Sequence, residues 1–293
     1  MARALSGVVS ADRLTVVVNV GDDDSIYGVH VAADLDTVLY TLAGIEGPHG
    51  WGMARDTFNV MDELARRGAD TSFRLGDRDL ATCLRRTEAM RSGTSLAATT
   101  AELARALGVD PTVIPATNDT LRTRVQIADG TWLSFQDYFV RRQHRDEIST
   151  LEYAGAASAE PTPGLVDAIR NADAVVIAPS NPPLSIWPIL AVPEVGEAVA
   201  AAPRVAAVSP LFAGKALKGP AEQVMAAMGL PPGTAGVLAA YDGLLSALFV
   251  DSADREDERL STDRTAVIAT DTRIAEVAAG RSFATVLLDT MLQ

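Results

Sequence analysis

The segment Asn19 to Asp24 reads Asn-Val-Gly-Asp-Asp-Asp, and Asp34-Leu35-Asp36 follows where a helical stretch begins, so five carboxylates fall within fifteen residues. Carboxylates held that close repel one another unless water solvates them or a cation bridges them. Magnesium takes oxygen ligands, commonly one or two carboxylates together with substrate phosphates, so these aspartates form a candidate cation site. A plainer arrangement uses the same residues: Asp34 caps a helix, and Asp22 to Asp24 make a solvated turn. Short spacing alone leaves both open.

Three further groups could carry chemistry. Lys215 and Lys218 are the only lysines, both in Ala-Gly-Lys-Ala-Leu-Lys-Gly-Pro, while the other 23 of 25 basic residues are arginine. A bias toward arginine explains the scarcity of lysine but not this clustering. Gly214 and Gly219 would let backbone amides approach phosphate oxygens at a helix start. The order is not that of a Walker A loop, and an exposed basic loop is the competing reading. Ser180 and Asn181 follow an apolar run and could donate to a ligand, although Asn-Pro is also an ordinary turn dipeptide. Arg74, Asp77 and Arg78, in Arg-Leu-Gly-Asp-Arg-Asp, could clamp a phosphate, but pairing among themselves is the expected use. Cys83, His30, His49 and His144 have no partner at a telling spacing and read as packing or surface residues.

The elements that must position these groups follow from periodicity. Leu14 to Val20 is a β-branched apolar run that enters the aspartate loop, as a buried strand of a parallel sheet would. A helix from Asp34 to Leu42 places Leu35, Val38, Leu39 and Leu42 on one face. Gly44 to Gly52 is a glycine-dense loop. From Asp56 to Leu107 the pattern is helical, in three pieces broken at 68–77 and near Ser92-Gly93. Residues 121–136 alternate polar and apolar about Asp129-Gly130, which predicts a hairpin. Beyond the proline-rich break at 160–164, a helix starts near Pro163 and strands are expected at 173–179, 204–210, 249–252 and 265–270. Residues 181–193 are expected to form a proline-punctuated loop with at most short helical pieces, and helices are expected at 221–228, 237–248 and the carboxyl end. This alternation predicts an α/β fold with a doubly wound, mostly parallel sheet, and residues 50–145 as an inserted helical region and hairpin. Ligands of such sheets bind beyond the carboxyl ends of the strands, where 19–25, 180–182 and 209–219 lie.

The 293 residues are 48% hydrophobic and 22% charged, which fits a folded core and excludes wholesale disorder. With 38 acidic and 25 basic residues the formal net charge is -13. Such a surface repels phosphate backbones, so nucleic acid is not an expected partner. An anionic substrate would have to be received by local cations, backbone amides or a metal ion. A single cysteine excludes an internal disulfide and a Cys-based zinc site. No apolar run approaches the roughly eighteen residues of a membrane span, and the first residues lack a signal region, so a cytoplasmic protein is expected.

Seven segments in order, VVVNVGDD, DLDTVLYTLAGI, WGMARDTFNVMDEL, LGDRDLATCLRR, FQDYFV, APSNPPLSIWPIL and VSPLFAGKALKGPAEQVM, resemble the CofD/FbiA family over almost the whole chain. These are the phosphoenolpyruvate or 2-phospho-L-lactate transferases of coenzyme F-420 synthesis. The resemblance implies a magnesium-dependent enzyme on a Rossmann-like sheet, one domain over 1–293, usually a homodimer. The implied donor is a guanosine diphosphate-linked three-carbon acid and the acceptor is the deazariboflavin FO. The terminal ribityl hydroxyl of FO attacks the phosphorus that carries the acid, and GMP leaves. By the same resemblance Asp22 and Asp36 are first choices for magnesium and catalysis, with Asp23 and Asp34 beside them; Asp36 could instead contact FO. Ser180 and Asn181 would hold the deazaflavin or its ribityl chain. Lys215 and Lys218 would neutralise donor phosphates, and Arg74, Asp77 and Arg78 would line the FO side. No side chain is singled out as a base, since metal polarisation suffices.

The family normally opens with a strand and a glycine-rich loop that cradles nucleotide phosphates. Met1 to Gly7 resembles the segment just after that loop, so a start assigned downstream of the true one is expected. The alternative function is a non-catalytic nucleotide-sugar-binding regulator of the gluconeogenesis-factor type, which shares the broad fold. A nicotinamide-dependent oxidoreductase is disfavoured, because no G-x-G-x-x-G follows a strand.

Overall fold

The computed structural model describes residues 1–48, 50–217 and 219–293; His49 and Lys218 lie outside the described residues. In chain order the strands are β1 (Thr15–Val18), β2 (Asp24–Ile26), β3 (Val29–Val31), β4 (Thr112–Pro115), β5 (Arg122–Ile127), β6 (Trp132–Ser134), β7 (Ile148–Ala154), β8 (Val175–Ile177), β9 (Val205–Val208), β10 (Leu211–Phe212), β11 (Lys215–Ala216), β12 (Ala247–Asp251) and β13 (Ala266–Thr270). The helices are α1 (Ala2–Ser6), α2 (Ala33–Leu42), α3 (Asn59–Arg66), α4 (Asp77–Arg91), α5 (Leu96–Ala106), α6 (Leu165–Arg170), α7 (Trp187–Leu190), α8 (Val195–Ala201), α9 (Ala221–Ala227), α10 (Thr234–Ala240) and α11 (Val277–Leu292).

Strands β9 and β12 are buried at every position, as unbroken apolar runs must be when both faces of a sheet are covered. They are the central pair of a parallel sheet ordered β13-β12-β9-β8, with Ala247 opposite both Ala206 and Ala266. Leu35 and Leu39 of α2 share one core cluster with Val205, Leu248 and Val250. Phe283 and Leu287 of α11 cluster instead with Phe249, and the two phenylalanine rings meet edge to face at 5.8 Å. Strand β1 pairs in parallel with β4. The α/β class and the parallel strands agree with the sequence. The four-strand ladder advances in chain order without a reversal, and β1–β4 is a separate ladder, so a full doubly wound order is not drawn by these hydrogen bonds.

Helices α3, α4 and α5 break where glycine and serine predicted. The expected hairpin is β5–β6, and β5 buries Thr123, Val125 and Ile127 while its arginines and glutamine stay half-buried. Strand β7 adds to the other edge of β5; its burial barely alternates, so periodicity did not announce it. The chain also makes an unexpected hairpin of β2 and β3. Its turn residues Tyr27 and Gly28 both have positive φ, 52° and 76°, the type I′ geometry for which Asn-Gly is the usual signal.

Two expectations are corrected. The helix predicted over 237–248 ends at Ala240, and Ala247–Asp251 is a strand. Gly243 at φ 75° breaks the helical path, and burial between β9 and β13 then outweighs local helix preference. Asp34 does not cap α2: the N-cap is Ala32, and the Asp34 carboxylate reaches Asn19 instead. Among the described residues no single helix is long and apolar enough to cross a membrane.

Candidate active site

Strand β1 delivers Asn19 to Asp24 into a turn against β5. Gly21 makes the approach possible, since a Cβ there would lie 2.4 Å from Thr123 Oγ1 and 3.0 Å from Asn19 Oδ1. Any larger residue would push the turn away. The Thr123 amide donates to the Gly21 carbonyl at 2.8 Å, the Gly21 amide donates to Asn19 Oδ1 at 2.7 Å, and Gln136 Nε2 donates to the Asp22 carbonyl at 2.7 Å. Backbone and amide contacts anchor the turn, so its carboxylates are not needed to hold it.

Asp22 and Asp23 are only 5% and 2% exposed, yet Oδ1 of each has no hydrogen-bond partner. Asp34, in the first turn of α2, accepts from Asn19 Nδ2 at 3.0 Å. Burial pushes the Asp22 carboxyl well above the usual carboxylate range, and the nearby Asp34 charge pushes it further. Burial also lifts Asp34 to about 6, with Asn19 pulling the other way. Buried carboxylates are stable when protonated, paired or coordinated to a metal. Asp22 and Asp34 could therefore hold protons, and together with Asp23 they form an oxygen donor set for a hard cation.

Both oxygens of Asp36 are engaged by Arg86 of α4: Nη1 donates to Oδ2 at 3.0 Å, and Nη2 donates to Oδ1. Arg86 is fully buried. Burial lifts Asp36 to about 6 against the pull of that guanidinium. Burial opposes the Arg86 charge in turn, but Asp36 outweighs it and keeps the arginine protonated. Asp36, a first choice for magnesium on sequence, thus forms the acidic half of an ion pair between α2 and α4. Oxygen or sulfur atoms of Asp36, Asp79 and Cys83 lie within 4.8 Å of one another. Asp79 accepts from Tyr40 Oη at 2.8 Å, and burial pushes the Cys83 thiol up, so this trio packs around the ion pair.

A cavity of about 250 Å³ lies against the acid cluster, lined among others by Asp22, Asp23, Arg122, Arg124, Trp132 and Phe135. Arg124 sits over the Trp132 ring, 5.0 Å from its centroid, and pairs with Glu152 at 3.0 Å. A neighbouring cavity of about 300 Å³ shares Asp24 and Arg122 and also touches His30 and Arg91. Arginines beside carboxylates and an aromatic surface can receive a phosphate-bearing group and a planar ring together.

Residues 1–282 match the family described as 2-phospho-L-lactate transferase CofD. The chain belongs to the CofD family. A phosphoenolpyruvate transferase of Kitasatospora aureofaciens is 40% identical over 264 residues, covering 86% of this chain and 82% of that one. A 2-phospho-L-lactate transferase of Methanosarcina acetivorans is 34% identical over 255 residues, covering 87% and 82%. Among solved structures, a UPF0052 family member from Bacillus halodurans aligns with TM-score 0.61 at 16% identity, covering 98% of this chain and 94% of that one. That likeness shows the shared fold alone.

The other expected site residues of this CofD-family transferase are distributed unevenly. Arg74 pairs with Asp62 at 2.9 Å and lies over Phe58. Asp77 accepts from the Thr57 hydroxyl and the Val60 and Asn59 amides, which hold its carboxyl down to about 2 and close the start of α3. Arg78 donates to the Ala54 carbonyl at 3.1 Å. These three build the α3–α4 corner, and no hydrogen bond or ion pair among the described residues joins them to Asp22 or Asp23. Ser180 and Asn181 follow β8. Asn181 Oδ1 accepts from the Leu184 amide at 3.4 Å, while its Nδ2 is buried without a partner. The Tyr153 hydroxyl donates to the Pro183 carbonyl, which ties this turn to β7; burial, then the Asp22 charge, pushes that phenol up. Lys215 is exposed on β11, and Lys218 lies outside the described residues. Sequence reasoning missed His30, Arg86, Arg122, Arg124 and Trp132. Alternation marked the arginines of β5 as a polar face without saying that the aspartates lie across from it.

Proposed function

We propose that the chain moves a phosphoenolpyruvyl or 2-phospho-L-lactyl group from a guanosine diphosphate-linked donor to the terminal ribityl hydroxyl of FO, releasing GMP, in coenzyme F-420 synthesis. The observation that carries this reading is the pair of buried, unpartnered oxygens, Asp22 Oδ1 and Asp23 Oδ1, on two residues that line the cavity. Family membership supports the reaction class, and relatives are named for transfer of phosphoenolpyruvate and of 2-phospho-L-lactate.

The carboxylate donor set fits magnesium, with Asp22, Asp23 and Asp34 as the residues that would hold it. Bound there, the ion would supply charge neutralisation for phosphate oxygens. Arg122 and Arg124 receive donor oxygens within an otherwise acidic surface. Trp132 and Phe135 offer the deazaflavin ring an aromatic surface. The tight Gly21 turn and the Asn19 amide keep Asp22 and Asp34 in place, which suits a reaction that is mostly positioning and electrostatics. The attacking hydroxyl oxygen forms the new bond to phosphorus as its proton is released, and GMP departs with the electrons of the bond that breaks.

Incubation with FO, magnesium and each guanylylated acid in turn should give GMP and a mass-shifted FO adduct. Asp22→Asn should lower turnover by about 100-fold or more, the scale on which loss of a charge-stabilising group is felt. Neither product with either donor, together with tight binding of a UDP-sugar, would replace this reading with that of a nucleotide-sugar-binding regulator.

A further inference from the structure

The acid cluster is complete without His30, yet two elements converge to hold that residue against it. The Tyr27-Gly28 turn brings β3 back along β2 and sets His30 opposite Ser25. Helix α4 then takes both backbone polar groups of His30. Its amide donates to Thr87 Oγ1 at 2.7 Å, and its carbonyl accepts from Arg86 Nη1 at 3.3 Å. Thr87 Oγ1 donates onward to the Cys83 carbonyl at 2.7 Å, and Arg86 is itself fixed by Asp36. With the backbone gripped on both sides, the ring reaches Asp23, Nε2 lying 2.8 Å from Oδ2.

This contact divides the two oxygens of Asp23. Oδ2 is occupied by the imidazole, whereas Oδ1 is buried and has no partner. An imidazole with its proton on Nε2 donates to Oδ2 and stops the carboxylate from rotating. We infer that His30 is a positioning residue of this transferase: its Nε2–H holds the Asp23 carboxylate in the one orientation that presents Oδ1 beside Asp22 and Asp34. The inference rests on the cation reading proposed above. Nε2, the ring nitrogen that faces the acid cluster, is engaged by Asp23 Oδ2 and is therefore not a ligand to a cation held there. Hydrogen-bond partners of ligating carboxylates typically contribute about 10–100-fold to metal affinity.

The test uses Mn²⁺ alone as the probe, its free fraction read by electron paramagnetic resonance with the full chain. His30→Leu should weaken Mn²⁺ binding about 10–100-fold with the circular dichroism unchanged. His30→Gln, whose side-chain amide can still donate, should restore most of that loss. Affinity in the leucine variant equal to the parent, or a glutamine variant as weak as leucine, overturns the inference. A second measurement needs no variant: nitrogen-15 spectra of the histidine rings should show the His30 proton on Nε2, and a bare Nε2 overturns it. If the parent protein binds no Mn²⁺, the cation reading falls too; if it binds while His30→Leu binds equally well, only the role of His30 falls.

Discussion

Asp22 and Asp34 would face opposite demands in the free protein and in the proposed cation-bound one. Without a cation, burial and neighbouring carboxylate charge favour protons on both. Asp34 has its carboxyl raised from 3.8 to about 6, and Asp22 is raised by the same causes. Between those values the folded chain holds more protons than the unfolded one, so stability falls as pH rises through that interval and stays low above it. Urea titrations in a chelator from pH 4 to 7 should show this decline, and Asp34→Asn should flatten it. A stability that climbs with pH over the same range, in parent and variant alike, would contradict the assignment. The crowding of these carboxylates was legible from spacing. The role of His30 was not, because nothing in its sequence neighbourhood says that a hairpin folds it onto Asp23.

Helices α2 and α4 are joined through the buried Asp36–Arg86 pair, and the energetics belong to that union rather than to either residue. Removing one partner of a buried ion pair strands the other charge and costs about 3–5 kcal/mol, whereas replacing both by apolar groups is often neutral. Arg86→Met should therefore lower the urea midpoint sharply, and Arg86→Met with Asp36→Leu should recover most of the loss. A double variant no more stable than the single would mean that the pair is not the main tie. Much at this scale was readable: β1, β8, β9, β13 and the β5–β6 hairpin follow from apolar runs and alternation, as does the carboxyl end of β12 but not its start. What escaped was set by distant contacts. Strand β4 pairs with β1 across almost a hundred residues, β7 joins β5 without its own periodicity, and a tyrosine occupies a turn position where asparagine is the usual marker.

Across the whole molecule the formal charge of -13 opposes the approach of an anion such as the proposed donor, while Arg122 and Arg124 would attract it only at close range. Long-range repulsion is screened once the Debye length falls to about 8 Å near physiological salt. The kcat/KM for the guanylylated donor should therefore rise from low salt to about 0.15 M before local pairing weakens. A monotonic fall would mean that cations near the cavity dominate at all distances. Net charge was available from composition, but which arginines line the cavity beside Asp22 and Asp23 depended on the antiparallel sheet facing the aspartate turn.

Arg122 is the one arginine among the described residues that lines both hollows beside the acid cluster. A two-armed inhibitor with an anionic junction at Arg122 would therefore fill both compartments, the second arm docking at a high effective concentration set by a short tether. Such a compound would gain potency from architecture rather than from any stronger individual contact, and the junction rather than either arm would be the part to optimise first.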